Sequence, residues 1–163
     1  MLTPPDDTAR VIAPPPLLAL AVVVFGLLLD WLLPAYVLSL VLSLTERIML
    51  PIILIGAGGT LGYAAVKTFR AAGTRVEPWK PSTVLVDDGV FGWLRNPMYV
   101  GGVLILAGLS IALASDWMLV LTILLVPVIH YGVVRREERY LAARFGEPYR
   151  RYMAQVPRYG WPF

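Results

Sequence analysis

The sequence predicts an all-α integral membrane protein of about four transmembrane helices, and three observations predict it. Of the 163 residues 58% are hydrophobic and only 15% charged, with a mean hydropathy of +0.69, where soluble domains carry about a quarter charged residues. Apolar runs near or above ~18 residues, the length that crosses a bilayer as a helix, recur along the chain. The basic residues gather beside these runs, mostly on what would be one side of a membrane. The length suits a single membrane domain over 1–163.

The first span is expected at about 17–34. Ahead of it stand Asp6, Asp7, a single base, Arg10, and Pro14, Pro15 and Pro16, which do not make a cleavable signal, so the helix is read as retained. Asp30 belongs at the far interface beside Trp31, in a structural role. AYVLSLVLSL follows; at ~1.5 Å per residue it is too short to cross alone, and either extends the first span or lies at the interface. The second span, about 50–69, contains GAGGTLGYAA. Gly58 and Gly62 make a GxxxG pattern that lets helices approach closely; with no strand before it, a phosphate-binding loop is the weaker reading. The third, about 98–114, carries Gly101, Gly102 and Gly108, read as packing positions, with Gly101 and Gly102 also able to make room for a ligand. The fourth runs over about 117–134, kinked at Pro127, and a cytoplasmic segment covers 135–163.

Twelve of the fourteen Lys and Arg residues lie in or beside the connection between spans two and three, or after span four. Arg10 joins them and only Arg47 falls opposite. The excess of bases marks the cytoplasmic side, so both termini and the 70–95 connection are expected there. The chain lacks cysteine and has one histidine, His130, which excludes disulfides, thiolate catalysis and multi-histidine or cysteine metal sites. The pI of 9.4 does not signal nucleic acid, because the charges sit beside apolar runs and form no basic groove pattern.

Two polar pieces face that cytoplasmic side. In the first, Pro78 and Pro81 bracket Trp79 and Lys80 and forbid a continuous helix. Thr83, Val84, Leu85 and Val86 read as extended, and Asp87-Asp88-Gly89 as a turn. Pro97 stands where a helix can begin, with Asn96 as its N-cap. Arg95 and Asn96 then sit at a helix start, where free N–H groups and the helix dipole favour a carboxylate or other anion; equally, Asn96-Pro97 is a good cap and Arg95 an interfacial arginine. In the second piece His130 lies seven residues before Glu137, so an unbroken helix puts both on one face. Glu138 is rotated by about 100° and has an ion-pair spacing to Arg135. A histidine inside a span is a functional candidate because burying it in lipid is costly. Tyr140, Leu141, Phe145, Tyr149 and Tyr152 follow, on an amphipathic stretch that lies against lipid or folds back over a pocket.

RNPMYVGG (95–102) followed by HYGVVRREERYLAARFGEPYRRYMAQVPR (130–158) resembles the isoprenylcysteine carboxyl methyltransferase-like membrane enzymes and their relatives, the phospholipid methyltransferases. The family pattern reads Arg-(His or Asn)-Pro-x-Tyr-x-Gly, a span, Glu-Glu-x-x-Leu, Phe-Gly and two tyrosines three apart. Here it is matched by Arg95, Asn96, Pro97, Tyr99 and Gly101, then Glu137, Glu138, Leu141, Phe145, Gly146, Tyr149 and Tyr152. The likeness covers roughly 70–160; the first two spans match only in kind.

The resemblance implies S-adenosyl-L-methionine as cofactor, held at the cytoplasmic mouth between the connection, the end of span four and the C-terminal segment. Thr83, Val84, Leu85, Val86, Phe91, Asn96, Pro97, Met98 and Tyr99 would line its pocket, Glu137 would take a hydroxyl or amino group, and His130 joins this set. Arg95 and Glu138 are the candidate catalytic residues, with Arg95 holding the cofactor's carboxylate or orienting the acceptor. Partners would be membrane lipids and a lipophilic small-molecule or lipid acceptor entering sideways between spans. Asn96 replaces the eukaryotic-type histidine, as in bacterial members, which with the small size suggests a bacterial inner membrane. Val133 stands where the carboxyl-methylating enzymes have an acceptor-binding arginine, which argues against an isoprenylcysteine carboxylate. With four spans, the acceptor-binding part is reduced or completed by a homodimer. Two other readings compete: an NADPH-dependent enzyme like the membrane sterol reductases, and a non-enzymatic small membrane subunit or transporter.

Overall fold

A computed structural model describes residues 8–74 and 82–160. These form seven α-helices: α1 (Pro15–Leu32), α2 (Val37–Val41), α3 (Leu44–Ala71), α4 (Pro97–Ala112), α5 (Asp116–Ile129), α6 (Arg135–Phe145) and α7 (Glu147–Gln155). A 3₁₀ turn at Gly89–Gly92 precedes α4, and a π turn at His130–Val134 joins α5 to α6. There is no strand among the described residues, and Thr83–Val86 is irregular. The expected break at Pro78, Trp79, Lys80 and Pro81 lies outside the described residues.

Three helices are long and apolar enough to cross a membrane: Pro15–Leu32, Leu44–Ala71 and the continuous Asp116–Phe145. The segment expected as a third span forms only the 16 residues of Pro97–Ala112, about 24 Å at ~1.5 Å per residue against a hydrocarbon core of ~30 Å. The four expected spans thus correspond to three helices of full crossing length and this shorter apolar one.

Local chemistry explains the boundaries. α1 opens on Pro15 and Pro16, whose missing N–H groups cost nothing at the first helical positions. α3 starts at Leu44, several residues before the apolar run, because Ser43 and Glu46 close a capping box. AYVLSL does not extend α1. Val37–Val41 form the separate α2, whose first amides, Val37 and Leu38, each donate to the Asp116 carboxylate at 2.9 Å. Asp30 accepts from the Ser115 hydroxyl and the Trp117 amide, tying the end of α1 to the start of α5.

Packing follows the glycines. A Cβ on Gly58 would come within 2.5 Å of the Gly101 carbonyl oxygen, and one on Gly101 within 2.7 Å of the Gly58 oxygen, so α3 and α4 touch backbone to backbone. The contact pairs Gly58 with Gly101 across the two helices. A Cβ on Gly62 or Gly102 would meet nothing within 4 Å, while one on Gly101 would come 3.4 Å from the Gly62 backbone nitrogen, so Gly62 borders the contact without needing to be glycine for space. α1 lies against α5, and α4 touches α5. Two buried clusters result: Val22, Leu106, Met118, Leu125 and Ile129 among the spans, and Ala65, Val86, Phe91, Tyr149 and Tyr152 at the end bearing α6 and α7.

Candidate functional site

The site is built where the start of α4 meets α6 and the chain after α7. Arg95 precedes α4, and its backbone amide donates to the Pro157 carbonyl at 3.0 Å. Its side chain, only 7% exposed, donates through Nη1 to the Met153 carbonyl at 2.9 Å and pairs through Nη2 with Glu138 Oε1 at 3.0 Å. The remaining donor, Nε, is buried without a partner among the described residues.

Glu138 is the hub. Besides Arg95 it receives the guanidinium of Arg158, with Nε at 2.9 and 3.0 Å from its two oxygens and Nη2 at 2.6 Å from Oε2. This is a bidentate, charge-assisted arrangement, and the bond to Glu138 raises the Arg158 pKa. Glu138 therefore pairs with Arg95 and Arg158, and Arg139 rather than Glu138 contacts Arg135, through the Arg135 carbonyl.

Glu137, on the neighbouring face of α6, accepts from the Tyr99 hydroxyl through Oε2 at 2.7 Å. Its other oxygen has no hydrogen-bond partner among the described residues. Asn96 holds the N-cap position of α4 but makes no capping bond; its amide donates to the Arg158 carbonyl at 3.2 Å, so the expected side-chain cap is replaced by a tie to the C-terminal segment. Tyr152 donates to the Phe91 carbonyl at 2.8 Å and fixes the 3₁₀ turn against α7. Burial pushes the phenols of Tyr149 and Tyr152 up, so both stay neutral. The amphipathic segment folds back over the site.

Two cavities flank this cluster. The larger, about 350 Å³, runs between α1, α4 and α5, lined by apolar side chains such as Pro15, Ala19, Val103, Leu106 and Leu125, with Arg95, Asn96, Tyr99 and Glu137 at one end. The smaller, about 60 Å³, lies towards α6 and α7 and includes Ser82, Val86, Glu138, Leu141 and Tyr149. They share one wall, made of Phe69, Phe91, Arg95, Asn96 and Glu137; Phe69 and Phe91 are tilted rings with centroids 4.7 Å apart.

Most of the predicted set meets here. Val84, Leu85, Val86 and Glu138 line the smaller cavity, Pro97, Met98 and Tyr99 the larger, and Phe91, Arg95, Asn96 and Glu137 both. Thr83 lines neither, bonding Thr74 instead at 3.0 Å. His130 also lines neither: its Nδ1 lies 2.9 Å from the Tyr159 hydroxyl. The expectation that His130 and Glu137 share a face fails because the π turn between them breaks the α-helical phase. Arg158 and Phe69 were missed. The only sequence signal for Arg158 was its place in VPR after the second tyrosine.

The family model for phospholipid methyltransferases matches residues 46–148. No curated protein and no solved structure matches the chain.

Proposed function

The chain belongs to the phospholipid methyltransferase family, and from that premise we propose that it transfers a methyl group from S-adenosyl-L-methionine to a lipophilic acceptor drawn from the membrane. The observation that carries this is the shared wall: a cavity of mixed polar and apolar lining meets a predominantly apolar one at Phe91, Arg95, Asn96 and Glu137. A water-soluble donor and a lipid-borne acceptor have to converge at such a boundary.

The residues suit the cofactor. Its carboxylate needs a donor, and its ammonium or ribose hydroxyls need an acceptor. The buried, unpartnered Nε of Arg95 offers the first, beside the start of α4 where the helix dipole favours negative charge. The Glu137 oxygen that no described residue engages offers the second. Tyr99 fixes the Glu137 carboxylate, and Glu138 with Arg158 holds Arg95 in place. On this reading Glu138 positions other groups. When bound, the cofactor supplies a methyl group on a sulfonium, open to in-line displacement. The chain's part is positioning and exclusion of water. The apolar lining from α1, α4 and α5 holds the acceptor, and Phe69 and Phe91 keep the junction dry. Both termini and the site face the cytoplasm in this reading, the side that carries most of the bases.

The test is calorimetric titration of S-adenosylhomocysteine into the detergent-solubilised chain, with NADPH in parallel. Micromolar binding of the first alone is expected. Binding of NADPH alone, or of neither ligand to a folded sample, refutes the reading.

A further inference from the structure

Residues His130–Val134 form a π turn, marked by the Arg135 amide donating to the His130 carbonyl five residues back. Against an unbroken α-helix such a turn inserts one residue and rotates everything downstream by about 100°. Seven residues of α-helix would leave His130 and Glu137 about 20° apart; with the insertion they stand about 120° apart. They do part company, His130 going to Tyr159 and Glu137 to Tyr99. The register of α6, and with it the aim of Glu137 and Glu138, depends on this turn.

The turn is gripped from outside its own helix. The segment before α1 crosses it, and the Ile12 amide donates to the Gly132 carbonyl at 3.2 Å. The Ile12 side chain fills the space over Gly132, where a Cβ would come within 2.4 Å of Ile12 Cδ1. Arg136 Nη1 donates to the Arg10 carbonyl at 3.0 Å. Ala9 is buried, and Val11 packs on the cluster containing Val133 and Val134. Arg10 holds φ at 43°, a conformation that a non-glycine residue keeps only when its surroundings enforce it.

We infer that Ala9–Ile12 is a positioning strap: it clamps Gly132, holds the π turn, and thereby turns Glu137 towards Tyr99 and Glu138 towards Arg95 and Arg158. The consequence for cofactor binding rests on the methyltransferase reading; the clamp on the turn does not.

The test uses the full chain. Ile12→Pro removes the amide that Gly132 accepts while keeping an apolar side chain. Deleting Tyr131, 62% exposed, takes one residue out of the turn and restores an α register with α6 facing as before. The probe is S-adenosylhomocysteine. Ile12→Pro should raise its Kd roughly tenfold or more, the order of one lost hydrogen bond to a charged group. The Tyr131 deletion should bind within about threefold of the parent, well under that loss, and adding Ile12→Pro to it should change nothing further. Gly132→Ala, which presses on Ile12, should mimic the loss and recover when combined with Ile12→Ala. A Kd unchanged by Ile12→Pro in a folded sample, or raised equally in both backgrounds, overturns the inference. His130 is the only histidine, so its imidazole NMR signal reports the turn without ligand, with Tyr159→Phe as the reference for a broken contact. Ile12→Pro should move that signal towards the reference, and an unmoved signal refutes the strap. A parent protein that ignores the probe sinks the methyltransferase reading, and the imidazole signal alone then decides the strap.

Discussion

Replacing Glu138 by glutamine removes the one negative charge shared by Arg95 and Arg158 while keeping the side chain's size. In the parent the Glu138 side chain is 9% exposed and that of Arg95 7%, so the substitution leaves a buried guanidinium without a counter-ion. Stripping one partner from a buried pair costs about 3–5 kcal/mol. The lower end applies, about 3 kcal/mol, because glutamine retains an acceptor and Arg158, 31% exposed, can turn to water. For a chain of this length each kcal/mol moves the melting temperature by about 2–4 °C, so the expected drop is about 6–12 °C. Tryptophan fluorescence during heating of the detergent-solubilised protein reads it. The control is Glu147→Gln, which breaks contacts of 3.7 and 3.6 Å to Arg150 and Arg151, all with side chains more than half exposed. Such pairs contribute about 1 kcal/mol at most, hence a drop below about 4 °C. If Glu138→Gln melts no earlier than Glu147→Gln, the buried three-residue charge cluster does not exist as described.

Other outcomes follow from neighbouring contacts. Glu137→Ala should weaken S-adenosylhomocysteine binding sharply and Tyr99→Phe by roughly tenfold, the loss of one bond to a carboxylate, whereas Glu147→Ala should leave calorimetric affinity unchanged; equal binding in all three refutes the placement of the pocket. Gly58→Ala drives a methyl into the Gly101 carbonyl and should destabilise by about 1–3 kcal/mol as an overpacking change. Gly59→Ala, with nothing within 4 Å, should be neutral or gain up to about 1 kcal/mol of helix propensity; thermal melts separate the two. The chain has no cysteine, so single cysteines report its orientation. In intact spheroplasts an impermeant thiol reagent should label Ser39→Cys and should reach Gln155→Cys only after permeabilisation; the reverse pattern inverts the proposed topology.

What was legible in the sequence was whatever local pattern encodes. The apolar runs located the spans, and RNPMYVGG with RREERY brought Arg95, Asn96, Tyr99, Glu137 and Glu138 into one expected site, where they meet. Hydropathy put the start of α3 too late because LTERI is not uniformly apolar, although Ser43 and Glu46 already spelled a capping box. The misplacement of His130 has a different cause. A periodicity argument assumes ~3.6 residues per turn throughout, and a single π turn, held by a segment more than a hundred residues earlier in the chain, breaks that assumption without leaving a mark in the apolar pattern. Arg158 was hidden for the same kind of reason: it reaches Glu138, 20 residues back, by an irregular return of the chain after α7. The Glu137-Glu138 pair shows how both kinds of information combine. Adjacent positions on a helix point about 100° apart, so the two carboxylates must face different surroundings. One meets Tyr99 at the junction of the cavities and the other is neutralised between two arginines. The doublet was visible from the sequence, but which carboxylate faced the junction of the two cavities depended on the register set at Gly132.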